Sequence, residues 1–299
     1  MKKVVVFGSN GLLGQNLVTR FNSDYDVTGC SLETTSYALA DIPYLKVDMI
    51  NRSEITEFLL SSKPDIIINA AAYTDVDGSE KDRELCWNTN VRAVENIIDV
   101  AESFKPLLVQ ISSDYVFDGE MGDYRETDTP NPNGNYSRSK MAAENIIIAS
   151  NLEYIIARTQ VLYGSGNRVR LNFATWVISR LKNNQNIKVV SDQVGNPTYI
   201  DDLSESIFRL INNKEYGLFH ISGSEKISRY DFARKIAKVF SFDESVIEKI
   251  TTEQLQQAAP RPMNSTFIID KLVNRIDWEP GDIESGLKRL KEKLDEKDS

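Results

Sequence analysis

The sequence has few of the residues that build disulfide frameworks or histidine-rich metal sites. Its 299 residues include two cysteines, Cys30 and Cys86, and one histidine, His220. Two cysteines are too few for a disulfide framework and lack the close spacing of metal ligands. A single histidine argues against a zinc site of several imidazoles and against a Ser-His-Asp hydrolase. A reducing, cytoplasmic location without a metal centre is therefore expected.

Long apolar runs and an excess of positive charge are also missing. The N-terminal run Val4–Phe7 is too short for a signal-peptide core or a membrane span, and no later run approaches that length. Lys and Arg number 35 against 44 Asp and Glu, for a net charge of −9. Such a chain repels nucleic acid and anionic membranes, so neither is an expected partner. A phosphorylated small molecule stays compatible, because backbone amides or one arginine can form a local anion site.

Short apolar strands alternate with amphipathic helices through the first half of the chain. This rhythm predicts an α/β fold, with helices on both faces of a doubly wound parallel sheet of the Rossmann type. After Arg158 the segments shorten, and glycine, proline and asparagine become frequent. We therefore expect a dinucleotide-binding domain over 1–158 and a smaller, mainly substrate-binding C-terminal α/β lobe over 159–299, with some segments free to return to the first domain.

The expected strands are Lys3–Phe7, Asp26–Gly29, Tyr44–Lys46, Asp65–Asn69, Leu107–Ser112 and Glu153–Ala157. The expected helices are Gly11–Asn22, Arg52–Ser62, Asp82–Phe104 and Tyr136–Ser150, then Leu171–Lys182, Asp202–Asn212, Arg229–Phe240 and a last helix near Ile283–Leu294. His220 lies in the apolar run Leu218–Ile221, which is typical of a buried strand. A structural role for His220 is therefore favoured over that of a general base.

The first strand runs directly into the glycine-rich loop Gly8–Gly14 and then into a helix. The spacing G-x-x-G-x-x-G is the short-chain dehydrogenase variant of the dinucleotide fingerprint. Glycines allow the backbone to approach a pyrophosphate closely, and the amides at the helix start supply an anion site. The alternative is a turn that only joins strand to helix, which the position in the first βαβ unit disfavours.

Cofactor preference is normally set at the end of the second strand, where an acidic residue holds the ribose hydroxyls of NAD. No carboxylate lies in the stretch Val27–Ser31, although Glu33 is close, and no arginine is present there to bind a 2′-phosphate. We expect NADPH, with NADH still open.

A tyrosine and a lysine four residues apart, Tyr136 and Lys140, open a predicted helix and should share one of its faces. A lysine ammonium near a phenol is expected to lower the phenol pKa, which eases proton transfer to a carbonyl oxygen. An exposed surface pair would show the same spacing.

Hydroxyl residues end the predicted strand that precedes this helix, and ligands gather at such strand ends. Ser113 is the candidate for hydrogen bonding to the substrate carbonyl, and a turn-capping serine is the alternative. Asp114 either contacts the sugar or orders the loop.

Together these elements resemble the extended short-chain dehydrogenases and, among them, the dTDP-4-dehydrorhamnose reductase family. The resemblance covers nearly the whole chain. It rests on the segments Gly8–Gly14, Asn69–Asp77, Ser112–Gly119, Tyr136–Lys140, Gly195–Thr198 and Arg261–Ser265.

The resemblance implies reduction of the 4-keto group of a dTDP-linked 6-deoxyhexulose by NADPH, giving a dTDP-6-deoxysugar such as dTDP-L-rhamnose. Tyr136, Lys140 and Ser113 fall on the family's catalytic triad. The expected cofactor contacts are Gly8, Asn10, Gly11, Leu12, Leu13, Gly14, Asp48, Met49, Ala70, Ala71, Ala72, Tyr73, Ser112, Tyr136 and Lys140, with Asp48 and Met49 beside the adenine. The expected substrate contacts are Ser113, Asp114, Tyr136, Val161, Thr198 and Arg261.

Two positions depart from the family pattern. Ser113 stands where many members have threonine, which preserves the hydroxyl. Val161 stands where rhamnose-forming members commonly have a tryptophan that lines the sugar pocket, so the deoxysugar stays open. Arg261 is expected to contact the nucleotide phosphates, and a solvated arginine is the alternative. Some relatives form a magnesium-linked dimer, which leaves a homodimer open, but no acidic cluster here compels a metal.

Two other functions remain open. A nucleotide-sugar dehydratase or epimerase shares the fold, the glycine loop and the Tyr-Lys pair, but dehydratases place an acidic pair after the strand-end hydroxyl, where this chain has Asp114 and Tyr115. The regulatory subunit of methionine adenosyltransferase also resembles these reductases and acts as a binding partner, and the segment Val161–Gly164 leans slightly towards it.

Overall fold

The computed structural model describes residues 1–38 and 41–298. The strands are β1 Lys3–Phe7, β2 Asp26–Ser31, β3 Tyr44–Lys46, β4 Ile66–Asn69, β5 Leu107–Ser113, β6 Tyr154–Thr159, β7 Leu162–Tyr163, β8 Ile187–Val190, β9 Val194–Gly195, β10 Thr198–Tyr199, β11 Gly217–His220, β12 Ile227–Ser228 and β13 Ile247–Ile250. The helices are α1 Leu12–Phe21, α2 Arg52–Ser62, α3 Arg83–Trp87, α4 Ala93–Ala101, α5 Asn135–Ala149, α6 Phe173–Lys182, α7 Ile200–Asn212, α8 Arg229–Phe240, α9 Thr252–Leu255, α10 Asp270–Ile276 and α11 Ile283–Asp298.

A seven-stranded parallel sheet in the order β11-β6-β5-β4-β1-β2-β3 forms the centre of the fold. Each face of the sheet is covered by its own apolar core, and successive side chains of β1 point alternately into the two cores. Val4 and Val6 pack with Leu203 of α7, whereas Val5 packs with Ile147 of α5. The strand order reverses between β1 and β4, which is where a doubly wound sheet opens a crevice for ligands. The predicted fold class is confirmed.

The second half of the chain contributes to two regions. The short pairs β7–β10, β9–β12 and β8–β13 combine with α6, α8 and α11 around a separate apolar cluster. In contrast, β11 extends the main sheet beside β6, and α7 packs against α1. Residues beyond 158 therefore complete the first region as well as forming the second. No helix in the described ranges is long and apolar enough to cross a membrane.

Most predicted elements are present with ends shifted by a few residues, and the segment expected as a helix over Asp82–Phe104 is helical over 83–101 but not α-helical throughout. It consists of α3, a five-residue π-helical turn over Asn88–Arg92, and α4. The wider turn re-aims the Asn90 side chain towards the segment after β4, where its Oδ1 accepts from the Tyr73 N–H at 2.8 Å. Propensity alone does not report such a tertiary contact.

Candidate active site

The loop from β1 to α1 lies against the segment that follows β4. Gly8 has a φ of 74°, and a Cβ there would lie 2.6 Å from Ala71 N. A Cβ on Gly14 would lie 2.0 Å from the Gly8 carbonyl oxygen, so only glycine allows this approach of helix to loop. The Ala70 N–H donates to Phe7 O at 3.0 Å. The predicted cofactor residues of both segments therefore meet at the carboxyl edge of the sheet.

The start of α1 has the features of an anion site. Gly11 precedes the helix and supplies no side-chain cap. The first amides of the helix, including those of Leu12 and Leu13, lie at the positive end of its dipole. A diphosphate requires amides that no side chain covers. The residues present therefore fit the pyrophosphate of a dinucleotide.

Asn10 connects the glycine loop to the segment after β2. Its Nδ2 donates to Glu33 Oε2 at 3.0 Å and to the Tyr44 hydroxyl at 3.1 Å. Its backbone N–H donates to Ser31 Oγ. Glu33 thus lies beside the loop, in the region where a carboxylate favours ribose hydroxyls over a 2′-phosphate.

The stretch Val27–Ser31 itself has no arginine, but one approaches this region from elsewhere in the chain. Arg168 reaches it from far along the chain, with its guanidinium carbon 5.1 Å from the centre of the Tyr37 ring. Gln15 holds the two segments together, because its Nε2 donates to Asn10 O and its Oε1 accepts from the Asn167 N–H, both at 2.8 Å. The region therefore contains one carboxylate and one guanidinium with opposite preferences for a 2′-phosphate.

The remaining predicted cofactor residues follow β3 and β4. Asp48 is half-buried and its Oδ1 accepts from the Ile50 N–H at 3.0 Å. Met49 is buried, and Asn96 Nδ2 donates to its carbonyl oxygen at 3.0 Å. Ala72 and Tyr73 continue the segment that approaches the glycine loop. The predicted cofactor residues therefore lie along one edge of the sheet, from β3 through β2 and β1 to β4.

The helix α5 carries Tyr136 and Lys140 one turn apart and packs against β5. The Tyr136 ring makes an edge contact with the Tyr115 ring, with 5.6 Å between their centres. Lys140 is 3% exposed, and its Nζ donates to Ile111 O at 2.7 Å. The structure therefore brings Tyr136, Lys140 and Ser113 together at the carboxyl end of β5, and the exposed-pair alternative does not apply.

The expectation that Lys140 lowers the pKa of Tyr136 is wrong for this structure. Burial raises the pKa of the Tyr136 phenol, and a hydrogen bond with Ser113 opposes that effect. Burial also lowers the pKa of Lys140 to about 8, which the charge of Glu144 partly offsets. The lysine ammonium is bonded to the Ile111 carbonyl. Tyr136 is consequently protonated near neutral pH, the form that donates a proton to a carbonyl oxygen.

The strand-end residues are bonded to one another. Ser113 Oγ donates to Asp114 Oδ1 at 3.0 Å and accepts from the Tyr115 N–H at 3.2 Å. The other oxygen of Asp114 accepts from Ser265 Oγ at 2.6 Å. Burial raises the pKa of Asp114, and the two serine hydroxyls oppose this. Ser113 thus caps the turn while its hydroxyl stays beside Tyr136, and Asp114 orders the loop.

Ser112 turns away from this group, because consecutive strand residues face opposite sides of a sheet. Its hydroxyl donates to Glu144 Oε1. Any contact of Ser112 with a cofactor would therefore involve its backbone.

Asn90 is a supporting residue that sequence reasoning did not single out. Besides binding the Tyr73 N–H, it donates from Nδ2 to Ser139 Oγ at 2.9 Å. Ser139 in turn donates to the Tyr136 carbonyl oxygen at 2.7 Å. Asn90 therefore links the segment after β4 to α5. Asn88 and Thr89 next to it are polar as well, so the sequence has no signal that sets Asn90 apart.

Arg261 is not the solvated arginine of the alternative interpretation. Its side chain is 8% exposed, and its Nη2 lies 2.9 Å from Asp77 Oδ2. Arg229, the first residue of α8, is half-buried nearby, and its charge acts on Asp114 and Tyr115. Two guanidiniums therefore lie beside the strand-end residues. Sequence reasoning missed Arg229, which has no motif of its own.

Val161 lies between β6 and β7, and Thr198 begins β10, the strand that pairs with β7. Val161 has a φ of 46°, an uncommon conformation for a β-branched residue. The Thr198 N–H donates to Val161 O at 3.2 Å, and the buried Thr198 hydroxyl donates to Asn196 O. Thr198 therefore supports Val161 and does not present its hydroxyl to the crevice. The half-buried Val161 side chain is the more accessible of the two.

His220 ends β11 and is fully buried. Its ring stacks on Phe267 with 3.9 Å between centres, and its Nδ1 lies 3.1 Å from Tyr124 O. Burial and the neighbouring Arg158 lower its pKa to about 3. A neutral ring must donate from Nδ1 to that carbonyl, which is the expected structural role.

Comparison with known proteins agrees with this geometry. A family model described as the RmlD substrate binding domain matches residues 1–296. The dTDP-4-dehydrorhamnose reductase of Aggregatibacter actinomycetemcomitans is 30% identical over 309 residues, covering 97% of this chain and 99% of the relative. The chain belongs to the dTDP-4-dehydrorhamnose reductase family. The resemblance expected from the motifs is confirmed.

Two further matches describe the range of this family. The dTDP-4-dehydrorhamnose reductase of Bacillus anthracis, solved in complex with NADP, is 31% identical with a TM-score of 0.88, covering 98% of this chain and 99% of that chain. Methionine adenosyltransferase 2 subunit beta of Xenopus laevis is 28% identical over 278 residues, covering 91% of this chain and 81% of the relative. Membership of the dTDP-4-dehydrorhamnose reductase family makes this chain an NAD(P)H-dependent reductase of the short-chain type.

Proposed function

We propose that the protein reduces the 4-keto group of a dTDP-linked 6-deoxyhexulose, with dTDP-4-dehydrorhamnose or a close relative as substrate. The observation that carries this proposal is the placing of Ser113, Tyr136 and Lys140 at the carboxyl end of β5, in a chain of this reductase family. The glycine loop after β1 opens onto the same edge of the sheet. The proposal therefore assigns dinucleotide binding mainly to 1–158 and substrate binding mainly to 159–299.

The nicotinamide cofactor, when bound, supplies the hydride that reaches the carbonyl carbon. Tyr136 donates its phenolic proton to the carbonyl oxygen, which becomes the product hydroxyl. Ser113 orients that oxygen and stabilises its developing negative charge. Lys140 keeps a positive charge beneath the reacting groups.

NADPH is the proposed cofactor, and NADH is accepted more weakly. The NADP-bound reductase from Bacillus anthracis supports this choice. In this chain Arg168 supplies the guanidinium that a 2′-phosphate needs, while Glu33 opposes it. The ratio of kcat/KM with NADPH to kcat/KM with NADH measures the preference between the two cofactors. An Arg168→Ala variant should lower that ratio, and an unchanged ratio would remove Arg168 from cofactor selection.

The substrate's diphosphate is assigned to Arg261. Its guanidinium is buried beside the strand-end residues, and its pairing with Asp77 holds it in place. Val161, Asp114 and Thr198 belong to the proposed sugar side of the site, with Thr198 acting through Val161. Arg261→Ala should raise KM for the nucleotide sugar while leaving the dissociation constant of the cofactor unchanged.

The test of the proposed function is nicotinamide oxidation across a panel of nucleotide ketosugars. It should include dTDP-4-keto-6-deoxyglucose supplied together with its epimerase, and each substrate should be assayed with both nicotinamides. Oxidation that depends on a dTDP-linked 4-ketosugar is the expected result. Tightly retained NAD without net oxidation would instead support a dehydratase or epimerase.

A second candidate is a binding role like that of a regulatory subunit. The similarity to methionine adenosyltransferase 2 subunit beta favours it, as does the segment Val161–Gly164, in which valine stands where rhamnose-forming members commonly have a tryptophan. Dinucleotide binding without oxidation by any ketosugar in the panel would support this role. Substrate-dependent oxidation would exclude it as the sole function.

A further inference from the structure

A buried ion pair lies directly behind the proposed catalytic residues. Glu144 of α5 and Arg158 of β6 have side-chain exposures of 0% and 3%. Arg158 Nη2 donates to Glu144 Oε2 at 2.6 Å, and Arg158 Nε donates to Glu144 Oε1 at 3.0 Å. Ser112 adds a third donor to the same carboxylate. Three fixed donors therefore direct their hydrogen bonds at this one carboxylate.

The position of Glu144 connects it to each of the proposed catalytic residues. It lies one helical turn after Lys140 on the same face of α5. Its carboxylate accepts a hydrogen bond from Ser112, the strand residue that immediately precedes Ser113. One carboxylate thus holds together the helix that carries Tyr136 and Lys140 and the strand that carries Ser113.

Stability alone does not account for this pair. Removing two charges from water costs several kcal/mol, and apolar side chains of similar volume commonly stabilise a core as well or better. The pair lies where α5 meets β5 and β6. A role in the chemistry of the neighbouring site explains why charge is placed there.

We propose that Glu144 is a positioning residue for the reduction, which keeps Lys140 in its charged form and fixes the end of β5 against α5. Arg158 is its ion-pair partner and fixes the position of the carboxylate. This inference rests on the proposed reductase function. It assigns to Glu144 no contact with the substrate or the cofactor.

The charges around Lys140 support this assignment. Burial disfavours the charged ammonium and lowers the pKa of Lys140 to about 8. The charges of Glu144 and Cys86 act in the opposite direction and raise that pKa. The ionisable groups around this part of α5 are Tyr136 and Glu144 on the helix itself, Cys86 on α3, Glu80 in the turn before α3, Asp114 and Tyr115 after β5, Arg158 on β6 and, behind Arg158, His220 on β11. The Glu144 carboxylate is the largest favourable charge on Lys140.

The first variant is Glu144→Gln, whose amide has the same size and still accepts from Ser112. Loss of the negative charge leaves Lys140 less able to hold its proton. The alkaline limb of the kcat profile should therefore move to lower pH by about one unit. KM for the nucleotide sugar should stay within about twofold, because no substrate contact is removed.

Glu144→Gln leaves Arg158 buried without its partner, which can prevent folding. A second variant therefore avoids the unpaired charge. Glu144→Gln combined with Arg158→Met removes both charges and keeps the volume. This double variant should fold, and its alkaline limb should move in the same direction but by less, because the Arg158 charge that disfavours the ammonium is lost as well. Glu205→Gln on α7 is the matched control, because Glu205 pairs with Arg20 and Arg209 on the far side of α1. Its pH profile should equal that of the wild type.

A direct titration of Lys140 separates this inference from the proposed function. NMR of the protein labelled with 13C at lysine Cε, assigned with a Lys140→Met variant, gives the midpoint of Lys140 without any turnover. A lower midpoint in either Glu144 variant supports the inference even if no ketosugar is reduced. An unchanged midpoint in a folded Glu144 variant overturns it, whether or not the wild type is an active reductase.

Discussion

The segment after β1 and the segment after β5 reach the same edge of the sheet, but they differ in how side chains occupy the space there. After β1 the glycines remove side chains, so that backbone atoms of Gly8, Gly14 and Ala71 approach within distances no Cβ permits. After β5 side chains fill the space, and Ser113, Asp114 and Ser265 bond to one another in a buried chain. We propose that the first binds an anion and that the second holds a proton donor in place.

The two segments also differ in where their determinants lie. The glycine loop is specified by seven consecutive residues, Gly8–Gly14. The β5 end depends on partners far along the chain, including Ser265 from the C-terminal part and Arg158 from β6. A substitution near β1 should therefore act on ligand binding, whereas one near β5 should act on turnover.

The largest expected effect is that of Tyr136→Phe, which removes the proton donor at the β5 end. Turnover should fall on the order of 10²- to 10⁴-fold, because the phenol acts mainly in the transition state. Cofactor affinity, followed by quenching of protein fluorescence, should stay nearly constant. Undiminished turnover in this variant would remove Tyr136 from the chemistry.

Gly14→Ala should produce the converse result at the β1 end. The added Cβ would meet the Gly8 carbonyl and push α1 away from the loop, so cofactor affinity should fall by roughly 10- to 100-fold. Gly217→Ala is the control, because the positive φ of 108° at Gly217 makes alanine unfavourable there, while no atom lies within 4 Å of an added Cβ. It should cost some stability and leave cofactor affinity unchanged. Equal losses of affinity in both variants would contradict the role of the loop.

His220 provides a pH-dependent test of the buried groups behind β5. Its folded-state pKa is about 3 against 6.5 for an ordinary histidine, so the unfolded chain binds a proton that the folded chain does not. The free energy of unfolding should therefore fall as pH decreases below about 6.5, by about 2 kcal/mol at pH 5 from this group alone. Urea unfolding of the wild type and His220→Phe should show that the variant loses this part of the slope. Parallel slopes would contradict a neutral, buried His220.

Ser265→Ala should have the smallest effect. It removes one hydrogen bond from the buried Asp114 and should cost about 1 to 3 kcal/mol of stability. Turnover should fall only a few-fold, because Ser113 still bonds to the other oxygen of Asp114. Steady-state kinetics together with thermal unfolding measure both effects. A loss of turnover as large as that of Tyr136→Phe would mean that Asp114 takes part in the chemistry directly.

The parts of the molecule that sequence predicts well are those whose determinants are local. The Rossmann fold, the glycine loop and the shared helical face of Tyr136 and Lys140 follow from short-range patterns of glycines and apolar residues. The π-helical turn at Asn90 and the approach of Arg168 to the cofactor region depend on contacts between distant segments. No local pattern contains that information.

The direction of the Tyr136 pKa shift was predicted wrongly for a related reason. The spacing to Lys140 suggested a charge interaction, but burial is the larger influence, and the ammonium is bonded to the Ile111 carbonyl. Burial and hydrogen-bond direction are properties of the packed structure. The motifs therefore predicted that Tyr136 and Lys140 share a helical face, but neither their electrostatic states nor the neighbouring Asn90 and Arg229.

The most direct measurement is a crystal structure of the protein with bound NADP. We expect the pyrophosphate to accept hydrogen bonds from the amides at the start of α1, and the Tyr136 hydroxyl to face the nicotinamide ring. A dinucleotide bound away from the Gly8–Gly14 loop, or a Tyr136 hydroxyl turned away from the nicotinamide, would contradict the proposed reduction.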